Sequence, residues 1–340
     1  MEEVNSSSLS IVRNNLAMQG VSKAAQDIIC KSWRLGTSKQ YDTYLKRWEQ
    51  FCCRRKVDTV FAFVTDILDF LVELFNMGLK YSALNTARSA LSSTIVLHDS
   101  VFSVGQHPLV SRFLKGVFEQ RPALPRYNHV WNVETVLNFL EKLSPLVSLT
   151  LSQLTIKLVT LLCLLSGQRC QSLHSLNMND FIWEPEGVTI PITSVIKQSK
   201  PNRAQPVLVL PLYSNENLCV VRTLNEYISR TTNLRGNICN LFITTVKPYS
   251  IASKSTIARW VKSTLRQAGI NTKVFSAHST RAASTSAASR NISLTALLKV
   301  AGWASCRTFQ KFYDLPVDTV NDTVAHNADF ALSVLSSHKD

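Results

Sequence analysis

Six side chains in the second half of the sequence have types that suit one reaction, attack on a phosphodiester. Two arginines can bind the non-bridging oxygens with paired N–H groups, and cations stabilise the charge that develops in the transition state. The reaction also needs a nucleophile and an acid that protonates the leaving 5′ oxygen. A lysine, a histidine, an indole N–H and a phenol complete the set, which is Arg169, Lys197, His278, Arg281, Trp303 and Tyr313.

Each of these residues, taken alone, also has a structural explanation. Arg169 follows Gly167 at the end of a strongly apolar helix, where an arginine can simply cap the next helix. His278 and Arg281 lie three residues apart and share one face of a helical turn, as a capping histidine and a solvated arginine also would. Tyr313 lies beside an apolar ridge and can belong to the core. The combination of all six is what favours catalysis.

The charge of the chain indicates the class of partner. The sequence has 340 residues and a net charge of +14. The positive excess is concentrated between residues 197 and 311, where the only carboxylates are Glu216 and Glu226. Such a stretch favours a nucleic acid, with a solvated basic face or an anionic membrane surface as alternatives. The scarcity of carboxylates disfavours metal-dependent nuclease chemistry, so we expect no metal.

The hydrophobic pattern predicts two domains that position these residues. Residues 1–20 are predicted to be a flexible tail and residues 21–120 a compact helical bundle. Residues 121–131, with two prolines and no periodicity, are predicted to be a linker. The second domain covers residues 132–340. Predicted helices of the first domain are 37–56, with a capping box at Thr37 and Gln40, and then 60–76, 82–98 and 107–118.

The second domain is predicted to be rich in α-helix with one β-hairpin. Asn132 is a suitable N-cap for its first helix, and a buried helix follows at 151–165. Alternating residues at 187–193 and 206–213 predict the two strands, whose connecting tip carries Lys197, Lys200 and Arg203. Helices continue from there to residue 336. The expected fold class is therefore mainly α, with a small antiparallel sheet in the second domain.

The cysteines and the apolar runs indicate a protein of a reducing compartment. The eight cysteines form no CxxC pair and no zinc-type spacing, which favours free thiols. The polar start MEEVNSSSLS does not resemble a signal peptide. The longest apolar run, residues 60–75, carries acidic residues at a helical period, so we expect an amphipathic core helix and no membrane span.

The ordered set of motifs resembles the tyrosine recombinases, the phage-integrase-type site-specific recombinases. SGQRCQSL at 166–173 is similar to their first box, and AHSTRAASTSAA with GWASCRTFQKFY is similar to their second. Residues 21–120 look like the family's SAM-like core-binding domain, so the resemblance covers about residues 20–335. Bacterial relatives usually have His or Trp nine residues before the tyrosine. The ten-residue spacing here resembles recombinases of eukaryotic mobile elements of the DIRS and Crypton types.

The resemblance implies a role for each of the six residues. Arg169 and Arg281 would bind the scissile phosphate, and Tyr313 would attack it to give a 3′-phosphotyrosine and a free 5′ hydroxyl. His278 would help to move the tyrosine proton, and Trp303 would offer its indole N–H or pack against the site. The general acid would be the lysine on the hairpin, Lys197 by the family's spacing, with Lys200 as the alternative. Neither ATP, nor a metal, nor any other cofactor is implied.

The resemblance also implies partners and a location. Double-stranded DNA would be held between the two domains, by a homotetramer on paired sites whose C-terminal helices are exchanged between protomers, in the nucleus of a eukaryotic host. Two other functions stay open, a non-cleaving DNA-binding protein derived from such a recombinase and a type IB topoisomerase-like enzyme. The basic residues expected to contact DNA are Lys46, Arg47, Arg88, Lys200, Arg203, Lys254, Arg259 and Lys262.

Overall fold

The computed structural model of the chain describes residues 7–123, 127–303 and 305–317. The chain divides into two compact units, residues 1–125 and residues 126–340. The mainly α fold with a small antiparallel sheet is confirmed. The helix predicted to continue to residue 336 lies outside the described residues beyond Val317. Among the described residues, every helix is too short or too polar to cross a membrane.

Six of the described helices form the first unit around an aromatic centre. Trp48 stacks on Phe51, and Phe70 meets both rings edge-on with its ring centroid 5.3 and 5.5 Å from theirs. The helices are α1 (Ser7–Met18), α2 (Lys23–Cys30), α3 (Leu35–Arg55), α4 (Val64–Asn76), α5 (Tyr81–Ser92) and α6 (Pro108–Gln120).

Two N-terminal segments of this unit differ from the sequence predictions. Residues 7–18, expected to be part of a flexible tail, form helix α1, because Ile11 and Val12 are buried in the core of this unit. Helix α3 begins at Leu35 without a side-chain cap, so the predicted capping box at Thr37 and Gln40 is wrong. The edge-on contact of Trp33 with Tyr41, at 5.1 Å between ring centroids, holds the chain just before this helix and favours the earlier start.

The ends of two predicted helices form strands instead. Strand β1 (Phe61–Ala62) pairs in parallel with strand β2 (Val96–Leu97), so helix α4 starts later than predicted and helix α5 ends earlier. Ala62 and Leu97 are buried by this pairing. Their local sequence is compatible with a helix, and the tertiary contact between the two segments decides the outcome.

The second unit is built around one buried helix. Helix α8 (Leu151–Ser166) is apolar around almost its whole circumference, as expected of a central helix, and it starts with a capping box between Thr150 and Gln153. Helices α10 (Val220–Thr231), α11 (Lys254–Gln267) and α12 (Ser279–Ala288) pack against it. The other helices of this unit are α7 (Val133–Lys142), α9 (Cys170–His174), α13 (Leu294–Ala301) and α14 (Cys306–Phe312).

The predicted hairpin is confirmed, and a third strand joins it. Strands β4 (Gly187–Pro191) and β5 (Val207–Pro211) are antiparallel with Gly187 opposite Pro211. Side chains alternate along β5, so that Leu208 and Leu210 face the core while the residues between them are exposed. Strand β3 (Ile182–Glu184) adds to the free edge of β4. All three of its residues are exposed, which explains why no hydrophobic pattern predicted it.

Candidate active site

The end of helix α8 positions Arg169. Gly167 ends that helix with a positive φ of 57°, and Arg169 has an extended conformation just before helix α9 begins. Arg169 is the N-cap residue of α9 without a side-chain capping bond, so its half-buried guanidinium is available for other contacts. One of these is a hydrogen bond from its Nη1 to Oε1 of Gln198, at 3.3 Å.

Arg281 is almost completely buried, with 1% of its surface exposed, on helix α12. Its Nη1 donates to the carbonyl oxygen of Gly167, and its Nη2 donates to that of Ala301 at 2.6 Å. Arg281 therefore connects two segments, the turn on which Arg169 lies and the end of helix α13. Among the described residues no group accepts from its Nε–H, which leaves that donor for a bound anion.

The small residues after Arg281 let helix α12 approach its neighbours closely. Residues 279–286 are all buried, and α12 packs against α8 and α13. The Ser286 hydroxyl forms two hydrogen bonds with the segment around Tyr313. Its Oγ donates to the carbonyl oxygen of Tyr313 and accepts from the backbone N–H of Leu315 at 3.3 Å. Helix α12 thus holds the tyrosine segment through a side chain that sequence reasoning had not singled out.

Tyr313 lies directly after helix α14, next to Trp303. The two ring centroids are 4.6 Å apart, and both side chains are 8% exposed. The guanidinium carbon of Arg281 is 4.5 Å from the Trp303 ring centroid and 5.6 Å from that of Tyr313. The His278 ring meets Tyr313 edge-on at 6.3 Å between centroids. Four of the six candidate residues therefore form one cluster.

The cations around His278 change its protonation. Burial lowers the pKa of His278 below its ordinary value, and the positive charges of Arg169, Arg281 and Lys197 lower it further. The imidazole is therefore neutral at pH 7 and able to accept a proton. The same charges place Lys197 and Arg169 in the electrostatic neighbourhood of the cluster, so the structure brings all six candidates to one region.

Burial also acts on Arg281. It lowers the pKa of this guanidinium to about 10, and repulsion by Arg169 adds to this effect, while the Tyr313 hydroxyl opposes it. Arg281 still carries its full charge at neutral pH. Two close guanidinium groups in a partly dry site form a strong site for an anion.

The hairpin loop between β4 and β5 carries Lys197, and it is attached to the rest of the site. Lys197 is exposed but lies between Ile196, which is 2% exposed, and Gln198, whose amide contacts Arg169. Lys200 is also exposed, farther along the loop. Arg203, expected to contact DNA, donates from Nη2 to the carbonyl oxygen of Gly302 at 2.9 Å.

The other residues expected to contact DNA occupy different environments. Lys254, Arg259 and Lys262 are exposed on helix α11, whose N-cap is the Ser253 side chain. In the first unit Lys46 forms an ion pair with Asp42 at 2.9 Å, and Arg47 is half-buried. Arg88 is half-buried as well, and its Nη1 donates to the carbonyl oxygen of Gly105 at 3.3 Å. Of the three residues of α11, Arg259 donates from Nη2 to Oγ1 of Thr256 at 3.5 Å, within its own helix.

Within the part of the chain that the structure describes, no group of three or more His, Cys, Asp or Glu side chains is placed to hold a metal ion. The described donors around Tyr313 are instead guanidinium, imidazole and indole groups, which suit an anionic substrate.

These features define a mainly helical domain in which a buried arginine lies beside a tyrosine, a tryptophan and a histidine. The profile of the phage integrase family matches residues 131–317, more than half of the chain. The chain therefore belongs to the phage integrase family, which makes it a tyrosine site-specific recombinase.

Solved structures share the fold. The XerH site-specific recombinase bound to palindromic difH substrate, in a post-cleavage complex, is 16% identical with a TM-score of 0.59, over 96% of this chain and 90% of that one. The Tn1549 transposon integrase in complex with circular intermediate DNA is 12% identical with a TM-score of 0.50, over 94% and 98%. No curated protein matches the chain significantly.

Proposed function

We propose that the protein is a site-specific DNA recombinase that cleaves and rejoins DNA strands through a 3′-phosphotyrosine intermediate, without metal or ATP. The observation that carries this proposal is the cluster of Tyr313, Arg281, Trp303 and His278. A phenol with an arginine guanidinium carbon 5.6 Å from its ring centroid is in position to attack a phosphate bound by that arginine. The family to which the chain belongs supports the same reaction.

In the cleavage step the Tyr313 Oη attacks the phosphorus, and the bond from phosphorus to the 5′ oxygen breaks. The phenolic proton passes to the neutral imidazole of His278, whose lowered pKa keeps it in the accepting form. Arg169 and Arg281 bind the non-bridging oxygens and stabilise the charge of the transition state. The indole N–H of Trp303, which has no acceptor among the described residues, adds one donor. Rejoining is the reverse reaction with a 5′ hydroxyl from the partner strand.

Lys197 is the better candidate for the acid that protonates the leaving 5′ oxygen. Its charge lowers the pKa of His278, and the charge of Lys200 is not among the causes of that shift. Lys197 is also held between two anchored neighbours, Ile196 and Gln198. A catalytic acid needs a defined position, which this part of the loop provides.

The substrate is double-stranded DNA, bound by basic residues of both units. Lys254, Arg259 and Lys262 present their charges from helix α11, and Lys46, Arg47, Arg88 and Lys200 supply further contacts. The similarly folded XerH and Tn1549 structures are complexes with DNA, which supports this partner. The active assembly is a homotetramer on paired sites. The exchange of C-terminal helices between protomers, which the family resemblance implies, concerns residues beyond Val317, outside the described part of the chain.

We propose further that the protein comes from a eukaryotic mobile element of the DIRS or Crypton type and acts in the nucleus. Its support is the ten-residue spacing from Trp303 to Tyr313 and the similarity of the second box. Short repeats in the DNA that flanks the coding region would identify both the element and its target site.

The test is a nicked suicide substrate that carries those flanking repeats. Wild-type protein should become covalently attached to the 3′ end in the presence of EDTA, and Tyr313→Phe should bind the same DNA without attachment. Tyr213→Phe is the matched control, because it removes the same hydroxyl from an exposed tyrosine that lies two residues after the end of strand β5. Attachment that survives in Tyr313→Phe, or that requires Mg²⁺, contradicts the proposal. Binding without attachment by the wild type indicates a non-cleaving DNA-binding protein.

A further inference from the structure

The loop that carries Lys197 has a defined conformation, held by buried side chains and internal hydrogen bonds. This loop, residues 192–206 between β4 and β5, is here called the lysine loop. Ile192 and Ile196 anchor it, with 1% and 2% of their surface exposed. Ser199 ties it internally, since its Oγ accepts from the backbone N–H of Ile196 and donates to Oε1 of Gln205, both at 2.9 Å.

Two side chains of the lysine loop reach the segment that precedes Trp303. Arg203 donates from Nη2 to the carbonyl oxygen of Gly302 at 2.9 Å. The amide of Gln198 accepts from Arg169 at 3.3 Å and donates to Oε1 of Gln168 at 3.4 Å. Gln168 in turn donates to the carbonyl oxygen of Val300 at 3.0 Å. The loop is thus attached to residues 300–302 directly and through Gln168.

Gly302 makes room for this attachment. Its φ of +67° is a left-handed conformation that side chains disfavour, and it ends helix α13 there. A Cβ at this position would lie 2.6 Å from Nε2 of Gln198. The lysine loop therefore packs directly on the backbone of the residue before Trp303, at a distance that only glycine permits without movement.

The electrostatics of Arg203 indicate a positional role. Its guanidinium is half-buried and donates to a neutral carbonyl, in a region that already holds Arg169, Arg281 and Lys197. A fourth cation in such a region is not favoured by charge. Its hydrogen bond to Gly302 explains its position, since this bond fixes the lysine loop to the segment that leads into helix α14.

We propose that Gln198 and Arg203 are positioning residues that hold the lysine loop on Gly302 and so align Lys197 with the phosphate attacked by Tyr313. This inference rests on the proposed function, because it assumes that Lys197 protonates the leaving oxygen. It changes the assignment of Arg203 from a DNA contact to a contact within the catalytic unit.

The experiment compares two suicide substrates, one ordinary and one with sulfur in place of the bridging 5′ oxygen. A thiolate leaves without protonation because its conjugate acid is far stronger than an alcohol, so the sulfur substrate does not need the general acid. At saturating protein, Arg203→Ala should cleave the ordinary substrate at least tenfold more slowly than wild type and the sulfur substrate within about threefold of it. Gln198→Ala should show the same preference for sulfur, and Arg203→Lys, which keeps one donor for Gly302, should recover part of the ordinary rate.

DNA affinity measured at several salt concentrations separates positioning from DNA contact. Arg203→Ala should keep the wild-type affinity and salt slope. Lys200→Ala, which removes a predicted phosphate contact from the same loop, should lower the slope by about 0.9. Arg222→Ala is the matched arginine control, since Arg222 is exposed and pairs with Glu216 at 2.9 Å, and it should behave as wild type in both assays.

Three results overturn the proposal in different ways. A lower salt slope for Arg203→Ala, with a wild-type rate at saturation, assigns Arg203 to DNA binding. An equal loss on both substrates assigns it to general stability of the fold. In both cases Lys197→Ala still recovers on the sulfur substrate, and the proposed function stands. If Lys197→Ala does not recover on sulfur, Lys197 is not the acid, and the proposed mechanism fails together with this inference.

Discussion

Removal of the Ser286 hydroxyl should detach the nucleophile from the rest of the site. Ser286 is 4% exposed, and its Oγ makes two hydrogen bonds to the segment that contains Tyr313, one to the carbonyl of Tyr313 and one from the N–H of Leu315. A neutral hydrogen bond contributes about 1 kcal/mol net, so Ser286→Ala should cost about 2 kcal/mol at this contact. Since about 1.4 kcal/mol is a factor of ten, the cleavage rate should fall by up to about 30-fold.

The matched control is Ser284→Ala. Ser284 is also buried on helix α12, but its hydroxyl donates only within its own helix, to the carbonyl oxygen of Arg281 at 3.3 Å. Both variants lose one buried hydroxyl, and only Ser286→Ala loses the bonds to the tyrosine segment. Single-turnover cleavage of the nicked substrate gives the rate, and urea denaturation gives the free energy of unfolding.

Ser286→Ala should be slow in cleavage at a DNA affinity equal to that of wild type, and Ser284→Ala should cleave within about twofold of wild type. Equal slowing of the two variants would show that the effect belongs to helix α12 in general. A Ser286→Ala rate close to wild type would show that the two hydrogen bonds do not hold the nucleophile, and the reasoning from this contact would be refuted.

Three further predictions concern charge and backbone. The imidazole of His278, followed by NMR, should titrate below pH 6.5, so it stays in its proton-accepting form as the pH falls to that value. Lys197→Met removes one of the neighbouring positive charges and should raise this pKa. A pKa above 6.5 in the wild type would contradict the arrangement of cations. Burial lowers the pKa of Lys157 to about 8, so between pH 8 and pH 10 the unfolded chain holds a proton that the folded chain has released. As the pH rises over this range, the free energy of unfolding of the wild type, measured by urea denaturation, should increase by about 2 kcal/mol relative to that of Lys157→Met. An equal pH dependence of the two proteins would show that Lys157 keeps its ordinary pKa. Gly167→Ala should lower the free energy of unfolding by about 1–2 kcal/mol, because φ is +57° and the new Cβ would lie 3.2 Å from Cγ2 of Thr285; unchanged stability in thermal or urea unfolding would contradict that backbone conformation.

The sequence predicts those parts of the fold that have local signals. The hairpin is predicted by alternation, the buried helix α8 by its apolar run, and the N-cap Asn132 by its residue type, since its side chain accepts from the N–H of Glu134. Strand β3 has three exposed residues and no alternation, so it has no such signal. Strands β1 and β2 consist of two residues each and form only because they meet each other.

The residues of the candidate site also fall into two groups, those that the sequence predicts and those that only the structure reveals. Residue types and order single out Arg169, His278, Arg281 and Tyr313, because guanidinium, imidazole and phenol groups have recognisable chemistry. Ser286 and Gln198 have no such signal, since a serine in a helix and a glutamine in a loop are ordinary residues. Their roles come from contacts between residues far apart in sequence, such as Gln198 with Arg169 and Ser286 with Leu315.

Arg203 shows how a basic residue in a plausible place can have an unexpected partner. Its position at a hairpin tip predicts a DNA contact, and only the fold brings the carbonyl of Gly302 to its guanidinium. Charge alone does not separate a cation that contacts DNA from one that supports the site. Lys262, exposed on helix α11, keeps the DNA-contact prediction.

The most direct test of the central claim is to identify the residue that becomes attached to DNA. The covalent complex trapped on the nicked substrate is digested with nuclease and protease, and the modified peptide is sequenced by mass spectrometry. The reaction described here predicts a nucleotide 3′-phosphate on Tyr313, in the peptide around FYDLP. Attachment at any other residue, or cleavage that leaves no covalent complex, would contradict the claim.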